Sequence, residues 1–176
     1  MAQLYRVEHQ QKFKHREQAI KEANTITKFV WRLAQKEKRN CKVLVCISEH
    51  SIKDAEPYFC NQNTRGRPKR KFRDKFDTNL EAPKVKPHLH ILIMSDKAND
   101  LAYRVVSNIN KRYRRRNPST PKAVISRRYR VENPDKYIGY VMHQGTAKRF
   151  VECDYGNILN DFDYEQIYES YKPNLF

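Results

Sequence analysis

The sequence predicts an α+β fold: a ferredoxin-like or RRM-like antiparallel sheet with helices on one face and an added tyrosine-bearing helix. Strand-like and helix-like segments follow each other in the order β-α-β, a long loop, β-α-β and a short helix, an order typical of such a sheet. The 176 residues, 39% of them hydrophobic, suffice for one domain with its own core. We assign that domain to residues 1–150, with a basic loop insertion at about 56–86, and an acidic, tyrosine-rich extension to residues 151–176.

The first half of the chain supplies a strand, a helix and a second strand. Residues 2–8 alternate weakly between apolar and polar types, which indicates a strand. Between residues 15 and 39, apolar residues recur at steps of three and four, the period of an amphipathic helix. Residues 42–47 form a compact, β-branched apolar run that is typical of an interior strand, and a polar stretch follows at 48–50.

The second half repeats this order after a long loop. Residues 56–86 lack periodicity and contain three prolines, which predicts a loop, and a strand begins near Val85. Helical spacing returns from 96 to 116 and stops at Asn117-Pro118. Residues 123–131 predict another strand, and Asn133-Pro134 then opens a short helix.

Two histidines stand one residue apart within an apolar run, PHLHILI at 87–93. Residues two apart on a strand point to the same side, so His88 and His90 share one face, and we expect the residues at 89, 91 and 93 to pack against helices. Such a pair also arises by chance on half-buried strands. Two imidazoles with open positions for water and phosphate nevertheless suit a divalent metal, Mg²⁺ or Mn²⁺. We expect a third ligand from the polar stretch after the neighbouring strand, which contains Glu49, His50 and Asp54.

The short helix presents an unusually polar face. At helical spacing Tyr137, Tyr140, His143 and Gln144 lie on adjacent parts of one side. A tyrosine oxygen can act as a nucleophile, but its reference pKa of about 10 means that it needs a nearby cation or base at neutral pH. Packing in a tyrosine-rich chain is the alternative reading of either tyrosine.

The charge of the chain indicates what such a site would act on. Lys and Arg number 36 against 20 Asp and Glu, which gives a formal net charge of +16. An excess of this size indicates a polyanionic partner, and nucleic acid is the first candidate.

Other classes of protein lack support in the sequence. No apolar run approaches the roughly 20 residues of a membrane span and the N-terminus has no signal-peptide pattern, so we expect a cytoplasmic protein without a membrane partner. The four cysteines include no C-x-x-C pair, which argues against a zinc ribbon or a secreted disulfide framework. Neither a P-loop nor G-x-G-x-x-G occurs, so no nucleotide cofactor is expected.

Three segments in this order resemble the HUH endonuclease superfamily, and most closely its rolling-circle plasmid replication initiators. They are ISEHSIKD at 47–54, KPHLHILI at 86–93 and VENPDKYIGYVMH at 131–143. The resemblance implies a sequence-specific single-stranded DNA endonuclease and strand transferase, dependent on Mn²⁺ or Mg²⁺, that forms a 5′-phosphotyrosine link. Its partner would be single-stranded DNA at an origin or hairpin, or duplex DNA, and its role would be to initiate rolling-circle replication of a plasmid or phage-like element.

The resemblance also implies roles for individual residues. By position, His88 and His90 are similar to the metal-binding pair of the family and Tyr140 to its nucleophile, with Tyr137 as the alternative. Lys136 and His143 are the candidate assisting groups. In the first segment His50 and Asp54 stand wider apart than in those initiators, so the third ligand stays open among Glu49, His50 and Asp54.

Clusters of cations are the candidate DNA-binding residues. One set crowds the predicted loop and another flanks Tyr113 and Tyr129, a mixture that suits both phosphate contact and base stacking. RGRP at 65–68 resembles an AT-hook, with nonspecific phosphate contact as the alternative. The candidates are Arg65, Arg67, Lys69, Arg70, Lys71, Arg114, Arg115, Arg127, Arg128 and Arg130.

Two other functions remain open from the sequence. Within the enzyme class, a single-strand transposase or a relaxase would use the same residues. From another class, a non-catalytic RRM-like nucleic-acid-binding protein would account for the fold and charge but not for the histidine pair and the tyrosine face.

Overall fold

The computed structural model describes residues 2–50, 58–59, 70–71, 84–144 and 147–156. The elements in these ranges are β1 (Gln3–His9), α1 (Arg16–Glu37), β2 (Cys41–His50), β3 (Tyr58–Phe59), β4 (Arg70–Lys71), β5 (Lys84–Ser95), α2 (Ala98–Arg116), β6 (Ser126–Arg130), α3 (Pro134–Gln144) and β7 (Ala147–Cys153). Each predicted helix and strand has a counterpart whose bounds lie within a few residues of the prediction.

Five of the strands form one antiparallel sheet in the order β6-β1-β5-β2-β7. Strand β5 lies between β1 and β2, and β1 lies between β5 and β6. The two β-α-β units, β1-α1-β2 and β5-α2-β6, therefore interleave their strands. This order is consistent with a ferredoxin-like arrangement extended by β7 at one edge. The predicted α+β class and antiparallel sheet are confirmed. Strands β3 and β4 form a separate two-stranded ladder.

Helices α1 and α2 cover one face of the sheet, which we call the helix face. Their buried residues recur at steps of three and four, as at Ala19, Ala23 and Ile26 in α1. These side chains pack in one cluster with Leu89 and Ile91 of β5. The predicted burial of this side of β5 is therefore confirmed, and packing on both faces explains why its residues 91–94 are all apolar.

Helix α3 packs on the opposite face. Ile138 and Val141 are fully buried and form a second cluster with Leu92 and Met94 of β5 and with Leu44 of β2. Burial of each such side chain contributes about 1.5–3 kcal/mol relative to its exposure. A short helix of 11 residues is thereby held on the sheet by its apolar side.

Strand β7 is the element that the sequence analysis does not predict. It pairs with β2 from Cys41 opposite Cys153 to Ile47 opposite Ala147. It runs across the domain boundary that we assigned at residue 150, so the sheet includes residues 151–153. Cys41 and Cys153 are free and buried against the helix face.

Candidate functional site

The two histidines of β5 lie on the face opposite α1 and α2, which we call the histidine face. Strand alternation assigns His88 and His90 to the same side as Leu92 and Met94. Helix α3 packs on this same side through Ile138. The chain thus brings its histidine pair and its tyrosine-bearing helix to one face of the sheet.

The imidazoles of His88 and His90 are neighbours. Their ring centroids are 5.0 Å apart and the ring planes are inclined by 68°. Nδ1 of His88 lies 3.3 Å from the carbonyl oxygen of Lys86, a contact that leaves the Nε2 side of that ring for another group. The Nε2 atom of His90 is shielded from solvent.

Burial keeps both imidazoles neutral. Burial is the main reason that the pKa of His90 falls to about 3, and repulsion from Arg6 and from the protonated form of His88 contributes. Burial also lowers the pKa of His88, although its contact with the Lys86 carbonyl opposes this effect. At neutral pH both rings are therefore in the uncharged form that binds metal ions.

A row of polar side chains crosses the sheet through His90. We call it the ionic row: Arg127 of β6, Glu8 of β1, His90 of β5, Cys46 of β2 and Lys148 of β7, each directly opposite the next. Burial raises the pKa of Cys46 to about 12, so that position carries a neutral thiol beside His90. Glu8 and Arg127 are exposed.

A second row lies two residues along each strand. We call it the aromatic row: Tyr129, Arg6, Leu92, Leu44 and Phe150, again each directly opposite the next. Its two central leucines are buried beneath α3, and its two ends are exposed aromatic rings. The histidine face therefore presents an aromatic side chain at either edge of the sheet.

Arg6 joins the aromatic row to α3. Its guanidinium carbon lies 5.0 Å from the ring centroid of Tyr129 and 5.3 Å from that of Tyr137. Partial burial alone would lower the pKa of Arg6, but a side-chain hydrogen bond with Tyr137 and the nearby charge of Glu8 raise it. One cation thus contacts a strand tyrosine and a helix tyrosine at once.

The other predicted catalytic residues lie on α3. Pro134 begins the helix, as its fixed φ favours, and the Tyr137 amide donates to the Asn133 carbonyl oxygen at 3.2 Å. The backbones of Lys136, Tyr140 and His143 follow the helix, while their side chains lie outside what the structure describes. Their predicted roles stay predictions.

The three predicted third ligands fall in different places. Glu49 forms an ion pair with Arg16 at the start of α1, with 3.7 Å between the charged atoms, so it is not brought to the histidine pair. His50 is paired with Lys84 after an irregularity in β2, without a described side chain, and Asp54 lies outside the described residues. Within the described ranges, no three His, Cys, Asp or Glu side chains are gathered as a metal site.

Glu8 is a further candidate ligand that the sequence analysis does not name. It lies directly opposite His90 on the neighbouring strand, and its side chain is exposed on the histidine face. Directly opposite residues have Cβ atoms about 4.5–5.5 Å apart. A carboxylate is the ligand type that would complement two imidazoles around Mn²⁺ or Mg²⁺, although the structure does not gather these three side chains as a metal site. Only the register of β1 against β5 reveals it.

The structure separates the predicted DNA-binding residues. Arg127 lies on the histidine face, whereas Arg128 contacts Asn99 and Tyr103 of α2 on the helix face. Arg114 donates to the carbonyl oxygen of Ala123 at 2.8 Å. Arg130 and Arg115 are exposed, and Arg130 shares the side of the sheet that carries Arg128.

The candidates in the predicted loop lie either in β4 or outside the described residues. Arg70 and Lys71 form β4, and nothing further of their side chains is described. Arg65, Arg67 and Lys69 lie outside the described residues. Their contact with DNA stays a prediction.

Comparison with family models, with curated proteins and with solved structures found no match to this chain. Among the helices that the structure describes, none has the length and apolar content needed to cross a membrane.

Proposed function

We propose that this protein is a metal-dependent single-stranded DNA endonuclease and strand transferase of the HUH type. Its product is a 5′-phosphotyrosine link with a free 3′-OH, and its role is to initiate rolling-circle replication of a plasmid or phage-like element in the cytoplasm. One observation carries the proposal: α3 packs on the face of the sheet that holds His88 and His90. A histidine pair and a tyrosine helix on one face are what this chemistry needs.

The chain's own residues provide the metal ligands. His88 and His90 supply two neutral imidazoles, and Glu8, directly opposite His90, is our candidate for the third ligand beside His50 and Asp54. A bound Mn²⁺ or Mg²⁺ would polarise an oxygen of the scissile phosphate. The two imidazoles lie on a central strand bonded on both sides, which holds them in place.

The nucleophile is the hydroxyl of Tyr140, with Tyr137 as the alternative. The hydroxyl loses its proton to a base, for which His143 is the candidate, and Lys136 stabilises the resulting negative charge. The tyrosine oxygen forms a bond to phosphorus while the bond from phosphorus to the 3′ oxygen breaks. The leaving 3′ oxygen takes up a proton, and the 5′ end stays attached to the enzyme.

The charge of the protein supports DNA as the substrate. The formal net charge is +16, and the histidine face carries Arg6, Arg127 and Lys148 around the histidines. Cations of this kind neutralise phosphates and bring a polyanion to the site. Exposed aromatic rings at both edges of the face suit the unpaired bases of a single strand.

The decisive experiment is a covalent trap. The protein is incubated with a labelled library of single-stranded oligonucleotides and Mn²⁺, with or without a chelator, and the products are separated under denaturing conditions. We expect a metal-dependent adduct that Tyr140→Phe abolishes while oligonucleotide binding persists. An adduct that survives Tyr140→Phe and disappears in Tyr137→Phe would move the nucleophile to Tyr137.

The outcome also separates the alternatives. If no sequence in the library yields an adduct, the protein is better described as a non-catalytic RRM-like nucleic-acid-binding protein. If an adduct forms, the sequence that is cut distinguishes a replication origin from a transposon end or a transfer origin, the substrates of a transposase and a relaxase.

A further inference from the structure

Strand β6 is an edge strand whose successive side chains alternate between the two faces of the sheet. Arg127 and Tyr129 point to the histidine face, opposite Glu8 and Arg6 of β1. Arg128, between them, points to the helix face and contacts Tyr103. These three consecutive residues of one basic segment therefore face two different environments, which the composition of the segment does not reveal.

Tyr129 is held in place yet partly open. Arg6 lies against its ring at 5.0 Å, while 37% of the residue is exposed to solvent. A fixed aromatic ring with an exposed surface is a stacking platform for an unpaired base, since every base has an aromatic face and little side-chain freedom is lost on binding.

Arg127 lies in the same row as His90, with only β1 between their strands. Two strand spacings amount to about 10 Å. An exposed guanidinium at that distance would reach one phosphate of a strand whose neighbouring phosphate lies at the histidine pair. The two β6 side chains thus offer one contact to the base and one to the backbone.

The opposite edge of the face is less accessible to such a strand. Phe150 and Lys148 of β7 end the same two rows, but α3 lies over β2, where it buries Leu44 and Cys46 between β7 and the histidines. A strand bound at β7 would have to pass around α3 to reach His90. On the β6 side, the residue between Arg127 and His90 in this row is the exposed Glu8 rather than a residue buried beneath α3.

We propose that Tyr129 and Arg127 form a nucleotide-binding subsite through which single-stranded DNA approaches the histidine pair from the β6 edge. Tyr129 stacks on a base and Arg127 binds an adjacent phosphate. The subsite rests on the proposed function for the identity of its ligand. It adds the direction from which the strand enters, and Arg6, which contacts both Tyr129 and Tyr137, links the subsite to α3.

The test compares substitutions of tyrosines on the histidine face and on the helix face. Binding of a fluorescent single-stranded oligonucleotide is followed by anisotropy in a chelator, so that no cleavage occurs. Tyr129→Ala should weaken binding by about fivefold or more, and Tyr129→Trp should restore it. Tyr103→Ala removes a tyrosine that is 53% exposed and also contacts an arginine, but on the helix face, and should bind as the wild type does.

The arginine pair is tested through salt dependence. Arg127→Ala should reduce the slope of log affinity against log salt by about 0.7, the value for one phosphate contact on a single strand, and Arg127→Lys should keep it. Arg32→Ala removes an exposed cation of α1 that is not among the candidate DNA-binding residues, and should leave the slope unchanged. Thermal unfolding of every variant checks that the fold is kept.

Three results would overturn the subsite: unchanged binding in Tyr129→Ala and Arg127→Ala, equal losses in Tyr103→Ala and Arg32→Ala, or a larger loss in Phe150→Ala than in Tyr129→Ala. The proposed function stands or falls separately. If the wild type forms the covalent adduct while the β6 variants bind normally, only the subsite fails. If the β6 variants lose binding while no adduct ever forms, the subsite stands in a binding protein without nuclease activity.

Discussion

Glu8 lies directly opposite His90 across the antiparallel pair of β1 and β5. No motif in the sequence connects these residues, because the first strand and the histidine strand are far apart in the chain. Their pairing brings a carboxylate beside a neutral imidazole on an exposed face. Of the acidic residues that the structure describes near the histidines, Glu49 is instead engaged by Arg16.

We expect Glu8→Gln to weaken Mn²⁺ binding by about tenfold or more, since changes even beyond the direct ligands commonly cost 10–100-fold in affinity. Isothermal titration calorimetry with Mn²⁺ measures this directly, with His88→Ala as the reference for a lost ligand. Glu49→Gln is the matched control and should bind Mn²⁺ as the wild type does. If Glu8→Gln binds Mn²⁺ as the wild type does while Asp54→Asn binds it more weakly, the third ligand lies in the segment after β2.

Arg6 should matter more for cleavage than for folding. Arg6→Lys keeps the charge but loses the planar group that contacts Tyr129 and Tyr137, so we expect slower adduct formation. Two such contacts contribute about 1–3 kcal/mol together, and the melting temperature should fall modestly. Arg128→Lys changes the equivalent contact with Tyr103 and should leave the adduct rate unaltered. Equal rates in the two variants would show that Arg6 has no part in positioning α3.

A buried ion pair joins α1 to α2. The Glu22 side chain is 7% exposed; one of its oxygens accepts a hydrogen bond from Arg112 Nη1 at 2.9 Å, and the other lies 2.6 Å from Arg112 Nη2 in an ion pair. Arg112→Met leaves a buried carboxylate with only the longer contact to Arg116, so we expect a loss of about 3–5 kcal/mol in the free energy of unfolding. Denaturant titration measures it. Arg16→Met breaks the more exposed pair with Glu49 and should cost at most about 1 kcal/mol.

The double variant Glu22→Leu with Arg112→Met provides a further check on this pair. Removing both charges takes away the unpaired carboxylate, so the double variant should be more stable than Arg112→Met alone. A double variant that is less stable would indicate that the pair itself, rather than the desolvation of one partner, determines the loss.

His9 should make the fold sensitive to acid. It is 5% exposed on the helix face beside Phe13. Burial is the main reason that its pKa falls to about 4, and the charge of Arg112 adds to it while that of Glu22 opposes it. Because the folded pKa lies below the ordinary value of about 6.5, the unfolded chain takes up the proton first. Stability is therefore full above about pH 6.5 and is lost as the pH falls towards 4.

His9→Leu should flatten this dependence. A shift of this size corresponds to about 3 kcal/mol between the two ends of the window. The free energy of unfolding, measured by denaturant at several pH values from 7 to about 4, should change less in His9→Leu than in the wild type. His15→Leu, at an exposed position, is the control. If His9→Leu shows the same dependence of unfolding free energy on pH as the wild type, His9 is not the group responsible for it.

Local patterns predicted the arrangement of β5 because strand periodicity is a property of neighbouring residues. Alternation alone assigned His88 and His90 to one face and the residues at 89, 91 and 93 to the helices, and the structure confirms the burial of Leu89, Ile91 and Ile93. Glu8 could not be found in this way, because the register of β1 against β5 depends on packing across the whole sheet.

Two further differences have local causes. Strand β7 reads AKRFVEC, in which three charged residues interrupt the apolar ones, as edge strands often show, so that it resembles a connecting segment. The predicted strand at 42–47 continues in the structure to His50. With the strand extended by three residues, alternation would have assigned Ser48, which lies opposite His88, and Glu49 to opposite faces of the sheet.

Helix α3 is tied to both margins of the sheet. It follows β6 at one margin after three residues, and β7 at the other margin begins two residues beyond it. The segment therefore cannot swing away from the histidines unless a margin strand detaches. For an enzyme that keeps one DNA end on a tyrosine of this helix, such tethering retains the attached end beside the metal ligands, ready for the returning 3′-OH. Under the proposed function, this topology would favour resealing of the strand over its escape, which is the difference between a replication enzyme and a simple nuclease.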